Sequence, residues 1–73
     1  MTYLTDVMME VGLPTGLGNS EIESKMSIHL ELMPAGQKLL LDLDGNGEKK
    51  AFIVFDSLFD PEDNKQIIIV RRA

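Results

Sequence analysis

Cysteine is absent from this 73-residue chain, tryptophan is absent too, and His29 is its single histidine. Without cysteine there is neither a disulfide staple nor a thiolate ligand. One imidazole leaves a histidine-based zinc site, or a Ser–His relay, short of its partners. No apolar run approaches the ~18 residues of a membrane-spanning helix. The opening Met-Thr-Tyr-Leu-Thr-Asp lacks the basic region of a secretory signal. Ser20, Ser24, Ser27 and Ser57 stand in no Gly-x-Ser-x-Gly elbow, and no glycine leads into a Gly-Lys-Ser/Thr phosphate loop. These absences point to a soluble cytoplasmic protein with no cofactor, no metal and no membrane contact, and to a non-enzyme. The length implies one domain, 1–73, near the lower limit at which a single core suffices.

Basic residues are scarce as well: 7 against 12 acids, a formal charge of −5. Up to position 48 the acids Asp6, Glu10, Glu21, Glu23, Glu31, Asp42, Asp44 and Glu48 meet only Lys25 and Lys38. From Lys49 onward the balance reverses, with Lys49, Lys50, Lys65, Arg71 and Arg72 against Asp56, Asp60, Glu62 and Asp63. A direct nucleic-acid interface needs a basic face and is excluded on this balance. A basic or DNA-binding protein partner is compatible with it, and so is plain solubility.

What the chain does have is a series of short apolar runs between turn residues. Lys38–Asp44 alternates, with Leu39, Leu41 and Leu43 on one side and Lys38, Leu40, Asp42 and Asp44 on the other. Ala51–Asp56 and Ile67–Val70 are apolar on both sides, and Met26, Ile28, Leu30 and Leu32 alternate with Ser27, His29 and Glu31. Gly, Asn, Asp and Pro separate these runs, as in an antiparallel meander. Near the N-terminus Leu4, Val7, Met8 and Val11 fall at i, i+3, i+4 and i+7, which predicts a helix over Thr2–Val11 ended by Gly12 and Pro14. Leu13–Asn19 reads as a loop, and Ser20-Glu21-Ile22-Glu23 as a capping box opening one helical turn. The fold expected is therefore α+β: one N-terminal helix packed on a four-stranded antiparallel β-meander. One short helix leaves the second sheet face uncovered, with Leu40, Phe52 and Val54 on it and either Ile68 and Val70 or Ile67 and Ile69 beside them, and an apolar face of that size marks an interface.

Asp42-Leu43-Asp44-Gly45-Asn46-Gly47 opens like a calcium loop, but Ile53 stands at the twelfth position, where a bidentate Glu is required. A turn using Gly and Asn for positive φ explains these residues better. His29 and Glu31 are two residues apart on one strand face, with no third ligand nearby. Asp60-Pro61-Glu62-Asp63-Asn64 is an acidic turn.

Several local matches accumulate: Glu23-Ser24 before the first strand, Ile28-His29, Leu40-Leu41 followed by Asp44, Ala51 to Ser57, and Glu62 with Asn64-Lys65. Across roughly two thirds of the chain these resemble the phage uracil-DNA glycosylase inhibitor family, whose second helix is similar to Thr5–Gly12. In that family an acidic edge imitates DNA phosphates, and a pocket between helix and sheet takes an apolar side chain of the glycosylase. The resemblance implies pocket positions at Val7, Val11, Ile28, Leu39, Leu41 and Ile53, with Asp6, Glu10 and Asp44 as the phosphate-like carboxylates. The family's N-terminal helix, and the Glu-Ser-Ile strand that follows it, have no counterpart among these residues. Three readings follow. The chain is an inhibitor that binds a host protein by DNA mimicry, a homodimeric adaptor pairing through its sheet and loosely similar to type III secretion chaperones, or a structural subunit of an assembly.

Overall fold

The computed structural model describes residues 1–11 and 21–73, with the side chains of Val11, Glu21, Ser24 and Lys25 left aside. Five strands form one mixed sheet: β1 (Tyr3–Val11), β2 (Glu21–Leu30), β3 (Lys38–Leu41), β4 (Lys50–Asp60) and β5 (Lys65–Arg72), in the order β2-β1-β5-β4-β3. Neighbours are antiparallel except β1 and β5, which run parallel. No helix occurs among the described residues.

The expected α+β fold is thus corrected to all-β. Thr2–Val11 is not a helix; Tyr3, Thr5, Val7 and Met9 alternate along β1 with the residues that face the other way. Tyr, Thr and Val favour the extended chain, and β1 lies between two strands. Glu21–Glu23, expected to open a helical turn, belongs to β2. Ser20 and the loop expected over Leu13–Asn19 lie outside the described residues. The sheet is mixed, not wholly antiparallel, because the last strand enters beside the first.

One face carries the core, here called the inner face. Val7, Ile68 and Val70 are fully buried on it, with Val54, Phe52 and Leu41 nearly so. Met9, Met26, Ile28, Leu30, Met33, Leu39 and Leu43 pack around them. Removing each large apolar side chain from water contributes roughly 1.5–3 kcal/mol.

The inner face is crossed by a strap, residues 31–37, which must pass from β2 at one sheet edge to β3 at the other. Four strand spacings of ~4.8 Å separate those edges, about 19 Å. The eight steps from Leu30 to Lys38 reach about 26–29 Å when extended, enough to cross with a turn in the strap. Gln66, fully buried on β5, ties it down. Its Nε2 donates to the Glu31 carbonyl (2.7 Å) and to Thr5 Oγ1 (2.9 Å), while its Oε1 accepts the Met33 N–H (3.1 Å). The strap ends in a turn closed by Gln37 N–H to the Pro34 carbonyl, and Gly36 N–H then bonds the Val54 carbonyl.

β4 contains a bulge. Val54 pairs with Val70, but Asp56 pairs with Ile69, so Phe55 is an extra residue. Beyond it the alternation inverts. Ser57 and Phe59 face inward, where Phe59 meets Tyr3 edge-on at 5.2 Å, and Leu58 and Asp60 face outward.

Candidate binding surface

The register places a second set of side chains on the opposite, outer face. Asp6, Ile67 and Leu58 form one cross-strand row, and Met8, Ile69 and Asp56 the next. Ile53 pairs with both Arg71 and Lys38, so those three also share the face. The main contacts between elements run between strands that neighbour each other in the sheet, and no described strand or helix stacks on this side. Leu4, Phe55, Leu58 and Leu40 are exposed there, Leu58 at 60%. Met8, Ile53, Ile67 and Ile69 are half-buried by their neighbours in the sheet.

Two ion pairs form within this face. Lys65 Nζ lies 2.8 Å from Asp6 Oδ2, and Ser27 Oγ donates to Asp6 Oδ1 at 2.7 Å. The Lys65 hydrogen bond, followed by that from Ser27, holds the Asp6 carboxyl below its ordinary pKa. The same contact raises Lys65 above the usual lysine value. Arg71 Nε donates to Glu10 Oε2 at 2.8 Å, and the Arg71 guanidinium sits 3.6 Å from the centre of the Phe55 ring. Alternation from Val54 puts Phe55 on the outer side beside Arg71, and the bulge then keeps Asp56 on that side as well.

The residues singled out for an interface divide between the two faces. Asp6 and Glu10 lie on the outer face of β1, and Asp44 lies in the loop after β3, 3.7 Å from Lys50. Each of the three carboxylates therefore stands beside a cation. Val7, Ile28, Leu39 and Leu41 come together on the inner face. Val11 pairs through its backbone with Glu21, and its side chain lies outside the described residues. Ile53 is on the outer face, opposite Leu39 and Leu41, because Leu39 pairs with Phe52 rather than with Ile53. Phe52 and Val54, expected on the uncovered face, are core residues for the same reason. Alternation within a strand is readable, whereas a one-residue change of register between strands exchanges the faces.

Asp42, at the head of the calcium-like stretch, turns its carboxylate onto its own loop. It accepts the N–H groups of Asn46 (3.2 Å) and Gly47 (2.8 Å), and Gly45 and Gly47 take φ of +71° and +86°. No cluster of three candidate metal ligands, and no cavity, occurs among the described residues. The outer face went partly unread for want of Leu58, whose parity depends on the bulge. Gln66 left no sequence signal at all, since a glutamine beside a turn normally sits in water. Comparison of the chain with protein families, characterised proteins and solved structures finds no match.

Proposed function

We propose that this chain is a small, acidic, non-catalytic protein-binding module that acts through the outer face of its sheet. The observation that carries the reading is the patch of Leu58, Ile67, Ile69 and Met8 from two adjacent cross-strand rows, apolar side chains on a face that no described element covers. A sheet apolar on both faces needs a second layer to bury the one that no described element covers. The paired charges fit this use, since Asp6, Lys65, Glu10 and Arg71 can lose water without losing their partners.

Inhibition by DNA mimicry has less support within this reading. Mimicry requires uncompensated carboxylates spaced like phosphates, and Asp6, Glu10 and Asp44 each face a lysine or arginine.

The test is affinity capture with the immobilised chain, comparing the native sequence with Leu58→Glu. Loss of specifically retained proteins on the variant, with its far-UV spectrum unchanged and a cooperative thermal transition retained, is the expected result. An identical set of bound proteins on both sequences removes the outer face as the binding surface.

A further inference from the structure

We infer that the outer face pairs with the same face of a second copy of this chain, giving a two-fold sandwich of sheets with a strap on each outer side. The inference rests on the reading of that face as a binding surface and names its occupant.

Shape argues first. Five strands at ~4.8 Å spacing make the sheet about 24 Å wide, and the eight residues of β5 at ~3.3 Å make it about 26 Å long. That is roughly 600 Å² of plane, and side chains standing on it expose more, which approaches the ~800 Å² per partner of a stable interface. A helix ~10–12 Å across, or one extended segment, leaves half of such a face wet. A second sheet stacked ~10 Å away covers it whole.

Charge argues next. The chain carries −5. On the outer face, however, Asp6, Glu10, Asp56 and Asp60 stand against Lys38, Lys65 and Arg71. Two copies that meet there bring together nearly neutral surfaces and leave the remaining negative charge in water. A strongly basic partner finds little to recognise, because Asp6 and Glu10 already hold their cations. An apolar, nearly neutral face can meet its own copy without charge repulsion, as an isologous two-fold contact requires.

The absence of cysteine makes the test clean. Sedimentation equilibrium on the native sequence is expected to show a reversible dimer whose association changes little with salt. Leu58→Glu is expected to weaken it by about tenfold or more, since each 1.4 kcal/mol is a factor of ten. A Leu58→Cys variant is expected to form a disulfide-linked dimer on mild oxidation, whereas Pro34→Cys, on the strap, is expected to associate like the native chain but to form no disulfide-linked species. Far-UV spectra and thermal midpoints establish that each variant is folded. A monomer at the highest attainable concentration overturns the inference, and so does a dimer indifferent to Leu58→Glu or one trapped equally well through Pro34→Cys. If the chain is monomeric while Leu58→Glu still abolishes capture of another protein, only the self-pairing fails. If Leu58→Glu changes neither measurement, the binding-surface reading fails with it.

Discussion

Gln66 shows how much one side chain can decide. It is fully buried on a central strand, and its amide satisfies the Met33 N–H, the Glu31 carbonyl and the Thr5 hydroxyl. Among the described residues these two backbone groups have no other hydrogen-bond partner, and they belong to a strap that forms no sheet ladder. Gln66→Ala is therefore expected to cost about 2–4 kcal/mol, through unsatisfied buried groups and the space left beneath the strap. Gln66→Met, of similar volume, is expected to recover the packing part alone. Urea unfolding of both variants checks this, and a Gln66→Ala midpoint equal to the native one would remove the tie.

Asp6 and Lys65 set a pH dependence at the same scale. The folded Asp6 pKa lies below its ordinary 3.8, so its contribution is present above that value and is lost as pH falls through the folded pKa. Lys65 lies above its ordinary 10.5, so its contribution is present below that value and is lost as pH rises through the folded pKa. Between those limits the pair adds no slope. Asp6→Asn is expected to flatten the acid limb of a stability–pH curve below about pH 4 while leaving the plateau shape unchanged. An unchanged acid limb would place that dependence on other carboxylates. The effect is modest because the Lys65 side chain is 35% exposed.

At the level of elements, the strand runs at Lys38, Ala51 and Ile67 were legible, because alternation and turn residues agree there. The first strand was not. Its Leu4, Val7, Met8 and Val11 satisfy a helical stripe, but the chain lies between β2 and β5 and carries apolar side chains on both faces. A strand with two neighbours and little alternation resembles a helix in periodicity alone. Its parallel partner, β5, is nearly the whole chain away, so no local signal announces the pairing. The bulge at Phe55 was hidden for a similar reason, since it is visible only as a mismatch with β5. Leu41, by contrast, was marked as an interior position and is buried, although against Phe52 and the strap rather than a helix. The strap has one local requirement of its own. Gly36 takes φ +93° while a Cβ there would meet nothing within 4 Å. Gly36→Ala is thus expected to cost about 1–2 kcal/mol from backbone strain alone. Thermal unfolding checks the size of the change, and an unaltered crystal or NMR geometry of the strap checks its cause.

For the molecule as a whole, β5 offers two adjacent isoleucines in opposite environments. Ile68 is fully buried beneath the strap, and Ile69 is half-buried on the outer face. Ile68→Ala is expected to cost about 2–5 kcal/mol at any protein concentration, because it opens a cavity inside the protomer. Ile69→Ala removes much less from an isolated protomer, under about 1–2 kcal/mol, since its side chain still touches water. In a dimer the two behave differently on dilution. A partner that binds only the folded chain stabilises it by mass action, so the native transition midpoint rises with concentration. Ile69→Ala is expected to weaken that concentration dependence, whereas Ile68→Ala lowers the whole curve and leaves the dependence in place. Denaturant titrations across a wide range of protein concentration separate the two. Equal, concentration-independent losses at both positions would mean that the outer face is already covered within the single chain, and the sandwich would then have no surface left to form on.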